Sequence, residues 1–129
     1  MFYLVVQSFL RDNEDMAMPI SIENAEHYNW GDNCDGWHLV KSAALSVIQE
    51  RVPPGCCEQL HKHEFAEQFF FVLNGQASLI VEAETHILNP QQGLHVPAGV
   101  VHQLCNYGED DLVFIVTSMP PSHGDRVNQ

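Results

Sequence analysis

Between Gly55 and Asn106 the chain carries two clusters of metal-ligand residues, each framed by turn residues. The first runs Gly55, five residues, His61-Lys62-His63, four residues, Gln68, six residues, Gly75. The second runs Pro97-Ala98-Gly99, two residues, His102, three residues, Asn106. In a strand, residues two apart project from the same face. His61 and His63 on a strand therefore point both imidazoles to one side, and a wall curved into a barrel turns that side inward. No segment has a convincing helical period, so the ligands must be carried by strands and turns.

Gln68–Leu73 reads as the next strand, and its aromatic and aliphatic run fits a strand buried on both faces. Asn74-Gly75 closes it with a tight turn. After the Pro97-Ala98-Gly99 turn, His102 starts another strand. Six residues back from Gly75 stands Gln68, with Glu67 beside it. Alternation lets only one of the two face the ligands, and a continuous register to Gly75 favours Gln68. The same alternation sends Phe70 and Val72 inward with Gln68. The metal-ligand set is thus His61, His63, Gln68 and His102, with Glu67 the competitor for the third place. Imidazole suits Fe, Ni, Cu and Zn. His27, His38, His86 and His95 lack partners at ligand spacing and read as structural or solvent-facing.

Elsewhere, short apolar runs alternate with turns. Trp37–Lys41, Ala44–Val52, Gln76–Val81, Thr85–Leu88, Leu94–Val96, Val101–Asn106 and Leu112–Ser118 read as strands, at the frequency of an all-β sandwich or barrel. Residues 12–36 are polar, with Trp30–Asn33 and Asp35-Gly36 as turns. The apolar start, Met1–Arg11, is too short to span a membrane and lacks the features of a signal peptide. It reads as a strand that pairs across a dimer, or as an annotation extension ahead of Met16 or Met18. The Pro120–Arg126 tail suggests a fixed turn folded over the barrel or a partner subunit. The organisation expected is an N-terminal extension (1–36), a barrel (37–118) and a tail (119–129).

The two clusters resemble the two motifs of the cupin superfamily of small β-barrels, and the likeness extends over about residues 37–118. It implies an all-β, single jelly-roll barrel with one divalent metal ion held by His61, His63, the acidic position of the first motif and His102. Iron, nickel, zinc and manganese are the candidates. Two departures stand out. Gln68 occupies the place where the family usually has Glu, and Gln91 stands where the second motif starts with Gly.

One domain is the natural reading of 129 residues, and 45% hydrophobic content supports a real core. A formal net charge of −12 argues against nucleic acid and anionic membranes as partners. A small-molecule ligand and a second copy of the chain are the partners expected. Cys34, Cys56, Cys57 and Cys105 show no paired spacing and read as reduced thiols in a cytoplasmic protein.

Three neutral imidazoles and an amide leave the charge of the ion uncompensated, so an anionic oxygen donor should bind it. The expected function is oxygen-dependent chemistry on a small enolic or anionic molecule, of the dioxygenase type. A non-catalytic metal-dependent binding module is the alternative, and a sugar isomerase a weaker one, since five Lys and Arg leave little to hold a phosphate. Glu50, Glu58, Glu67 and Tyr107 lie near the motifs, but spacing assigns none of them a catalytic role.

Overall fold

A computed structural model describes residues 17–129. The expectation of a dimer-pairing strand at residues 1–15 lies outside the described residues. Among the described residues, eleven strands make two antiparallel sheets. They are β1 (Glu26–Trp30), β2 (Cys34–Lys41), β3 (Ser46–Val52), β4 (His61–His63), β5 (Glu67–Asn74), β6 (Ala77–Val81), β7 (Glu84–Leu88), β8 (Gly93–Val96), β9 (His102–Cys105), β10 (Leu112–Met119) and β11 (Arg126–Asn128). One sheet has the order β1-β2-β3-β10-β5-β8, the other β11-β4-β9-β6-β7. The fold is an all-β jelly roll.

The core lies between the sheets and follows the period of two. On β10, Leu112, Phe114, Val116 and Ser118 are buried while their neighbours are not. Phe114, Leu79, Leu104, Val72 and Val52 are essentially sealed from solvent. On β5, Gln68, Phe70 and Val72 face in, and Glu67 and Phe69 face out. This corrects the expectation that the strand is buried on both faces. Phe69 is 44% exposed and stacks on Phe71 at 6.2 Å on the outside of the sheet. An antiparallel sheet of this kind covers one face only.

Strands also continue beyond the expected barrel boundaries. β1 pairs along its whole length with β2, through a turn that places Gly31 and Asn33 at positive φ. The polar residues of this segment alternate with Tyr28 and Trp30, which pack against the core. At the other end the tail adds β11 to the edge of the second sheet, against β4. The Asp125 carboxylate accepts hydrogen bonds from the backbone N–H groups of Glu64, Phe65 and Ala66 at 2.9–3.2 Å. The tail therefore folds over its own barrel, latched to the bend that follows His63.

A second correction concerns the cysteines. Cys57 and Cys105 form a disulfide, with their Cα atoms 4.1 Å apart across an antiparallel bridge. The reduced-thiol expectation holds only for Cys34 and Cys56. Asn106 closes the same corner. Its side-chain amide donates to the carbonyls of Val52 and Asp110 at 2.8 and 2.9 Å, and its Oδ1 accepts from Gly108 N at 2.9 Å.

Candidate metal centre

β4 and β9 are neighbours, and His61 lies directly opposite His102. His63 is one strand period further along β4. All three imidazoles are buried, and their ligand atoms lie within 4.8 Å of one another. Gln68 reaches the cluster from β5 in the facing sheet, its Oε1 3.1 Å from His102 Nε2. Glu67 is on the outside, paired with His95 at 2.9 Å. The structure thus brings His61, His63, Gln68 and His102 together and leaves Glu67 out.

The donor set fits a divalent cation. His61 Nδ1 contacts the Gln59 carbonyl at 2.7 Å and His102 Nδ1 the Val100 carbonyl at 2.9 Å. A carbonyl only accepts, so each Nδ1 carries the proton and each Nε2 keeps a lone pair. Burial pushes the His61 imidazole down to about 3 and His63 down to about 4, and it lowers His102 as well. All three are neutral near pH 7 and do not hold a proton against a metal. His63 Nδ1 is buried with no hydrogen-bond partner. Such an orphan costs free energy unless something binds the ring.

The cluster forms one side of a cavity of about 320 Å³. Ile48, Phe70 and Val116 supply apolar wall, and Phe70 meets the His102 ring edge-on at 5.9 Å. The polar wall holds Tyr28, Glu50, Glu58, His123 and Arg126. The Tyr28 hydroxyl donates to Glu50 Oε1 at 3.2 Å. Gly36 makes this possible, because it pairs with Tyr28 on one side and Glu50 on the other. A Cβ there would collide with the tyrosine ring.

Burial pushes the Glu50 carboxyl up to about 7, against the pull of the Tyr28 hydroxyl and of Arg126. Glu58 is pushed up to about 8, by burial and then by its neighbour Glu50. The Leu104 N–H, which donates to Glu58 Oε1 at 3.1 Å, pulls the other way. Of the four residues near the motifs, the structure therefore brings Glu50 and Glu58 to the cavity. Glu67 and Tyr107 are exposed elsewhere.

Sequence reasoning missed Tyr28, His123 and Arg126. The alternation of Tyr28 and Trp30 with polar residues was a usable signal for β1. Nothing in the tail sequence announced that it pairs with β4.

A family profile described as a cupin domain matches residues 48–118. The chain belongs to the cupin family. Among curated relatives, this cupin is 38% identical over 89 residues to the auxin-binding protein T85 of Nicotiana tabacum, covering 60% of this chain and 47% of that one. It is 30% identical over 102 residues to the quercetin 2,3-dioxygenase of Bacillus subtilis, covering 72% of this chain and 29% of that one. The chain thus spans about half or less of the length of these two relatives. Among solved structures, the polyketide cyclase RemF of Streptomyces resistomycificus superposes with a TM-score of 0.76 at 16% identity, covering 88% of this chain and 85% of that one. That likeness shows the shared fold. No helix among the described residues is long and apolar enough to cross a membrane.

Proposed function

We propose that this cupin holds one divalent metal ion on His61, His63 and His102, with Gln68 as the fourth donor, and oxidises a compact enolic or anionic substrate with O₂. The observation that carries the reading is a cavity lined together by Glu50 and by His61 and His63 of the buried three-histidine cluster, where desolvation raises the Glu50 carboxyl to about 7. A general base works best when its pKa lies near the working pH. Glu50 meets that condition, so it is assigned the removal of the substrate's enol or α proton. Tyr28 donates to the same carboxylate and orients it. Glu58 is mostly protonated at neutral pH and serves as a donor. Ile48, Phe70 and Val116 keep water from the reacting end of the cavity.

When bound, the metal supplies electrophilic stabilisation of an anionic oxygen and a redox partner for O₂. The likeness to a relative named as a dioxygenase supports oxygen chemistry. The cavity beside the histidines and the base within it favour an enzyme over a binding module that does no chemistry. The test is O₂ uptake by protein reconstituted anaerobically with Fe(II), against a panel of enols and diketones. Turnover of at least one, lowered about a hundredfold or more by Glu50→Gln at unchanged metal content, is the expected result. Tight binding of panel members without O₂ uptake, for every metal tried, would leave the non-catalytic module.

A homodimer stays part of the proposal. Phe69 and Phe71 form an apolar patch on the outer sheet face, of the kind a second copy covers. A monomer by light scattering would remove it. The reduced-thiol argument for the cytoplasm does not stand, because Cys57 and Cys105 are joined.

A further inference from the structure

We propose that Arg126 is the specificity-determining residue of this cavity and holds a carboxylate carried by the substrate at a distance from its metal-binding oxygen. The inference rests on the proposed function and adds to it the second functional group of the substrate.

Among the described residues, Arg126 is the one Lys or Arg that lines the cavity. On β11 it lies directly opposite His63 on β4. Directly opposed residues share a face, with Cβ atoms about 5 Å apart. The guanidinium stem therefore starts beside a metal-facing histidine and on the same side of the sheet. The carboxyls of both Glu50 and Glu58, and all three histidines, feel its charge.

Among the described residues Arg126 makes no ion pair, whereas Lys41 and Arg51 each have carboxylate partners. The cavity carboxyls are held by other donors, Glu50 by the Tyr28 hydroxyl and Glu58 by the Leu104 N–H. The neighbouring Asp125 is taken up by three backbone N–H groups of the 64–66 bend. Arg126 itself donates from Nε to Asn128 Oδ1 at 2.9 Å and from one terminal nitrogen to the Gln59 carbonyl at 3.3 Å. A guanidinium has five N–H donors, so part of its fork is left for a ligand.

The fork matches a planar carboxylate in a two-point contact. A phosphate dianion calls for more positive charge than one guanidinium next to two acidic side chains provides. Space is available as well. Arg126, Trp30 and Glu58 also line a second hollow of about 480 Å³, which gives a substrate arm room beyond the metal. Asp125 is a positioning residue here, since its latch fixes the segment that presents Arg126.

The experiment uses two diketones that differ in one group, 4,6-dioxoheptanoate and 2,4-heptanedione. Dissociation constants are measured by calorimetry on the full chain, both metal-free and loaded with Fe(II) without oxygen. The carboxylate compound should bind about tenfold to a hundredfold more tightly than the neutral one, the size of a charge-assisted contact. The difference should persist without metal, because Arg126 makes the contact. Arg126→Gln should abolish the difference between the two compounds, and Asp125→Asn should reduce it. Arg126→Lys should keep part of it.

Equal binding of the two diketones by the unsubstituted protein would overturn the role of Arg126. Failure of Fe(II) to tighten either diketone would instead sink the metal-enol reading and leave the Arg126 contact standing. Displacement of 4,6-dioxoheptanoate by inorganic phosphate at equal concentration, lost in Arg126→Gln, would reassign the site to phosphate and overturn the carboxylate proposal.

Discussion

His102 Nε2 and Gln68 Oε1 face each other at 3.1 Å, and the other side of the Gln68 amide donates to Ser118 Oγ at 2.9 Å. With the His102 proton held on Nδ1, this places two lone pairs against each other. A cation between them resolves the conflict. Without one, turning the amide over does so, with Nε2 donating to His102 and the Ser118 hydroxyl donating to Oε1.

Metal content should follow this geometry. His61→Ala and His102→Ala should each lose most of the bound ion in elemental analysis. Gln68→Ala should weaken binding and Glu67→Ala should not; the reverse order would return the ligand role to Glu67. Gln68→Glu adds a negative charge to a neutral donor set, and should tighten binding about tenfold or more. Unchanged stoichiometry in both histidine variants would sink the site.

The acid limb of the pH–rate profile should report Glu50. With its carboxyl near 7, activity should rise as pH passes through neutrality, and the limb should vanish in Glu50→Gln. The Tyr28 hydroxyl bond favours the ionised form. Tyr28→Phe should therefore shift the limb to higher pH. A limb that stays in place in both variants assigns the titration to another group.

Stability of the metal-free protein should fall as pH rises from about 6.5 to about 8. Below that, the unfolded chain binds protons on histidine that folded His61, His63 and His102 refuse, so these groups add stability as pH rises. Glu50 and Glu58 act with the opposite sign. Their raised values make the folded state hold protons that the unfolded state has released, and stability falls from about 4.5 up to about 8. The two signs largely offset each other in the shared range, and above it only the acids act. Urea denaturation at intervals from pH 5 to 8.5 checks this. A steady rise to pH 8.5 would contradict it.

Removing the disulfide should be costly. It closes a loop with a sequence separation of 48 residues, for which the chain-entropy relation gives roughly 4 kcal/mol as an upper value. The Cys57→Ser, Cys105→Ser double variant should lose about 2–4 kcal/mol in urea titration. A loss of under about 0.5 kcal/mol would mean that the bond does not constrain the native chain.

Legibility in the sequence followed locality. The strand period and the turn residues are local signals, and they placed His61, His63 and Gln68 inward and most strands within a few residues. Pairing between distant segments is not local. β11 meets β4 across more than 60 residues, as the Asp125 bond to Glu64 shows, and no pattern in Ser122–Arg126 encodes that partner. The disulfide was closer to readable. If His61 opposes His102, the antiparallel register carries Cys57 to within one residue of Cys105. Spacing along the chain hid what spacing across the sheet would have shown. Phe69 misled in another way, since an unbroken apolar run looks the same whether its outer face is covered or not.

The position of the disulfide has a consequence for how the chain finds its fold. All four proposed ligands lie inside the segment that it closes, with Cys57 four residues before His61 and Cys105 three after His102. Once the bond has formed, even the denatured chain is a ring whose seam sits beside the β4–β9 pairing. The distant histidines become near neighbours along the covalent path, and the search for their register becomes a local one. Oxidised protein should therefore recapture metal on dilution from urea faster than reduced protein, because part of the centre's topology survives denaturation.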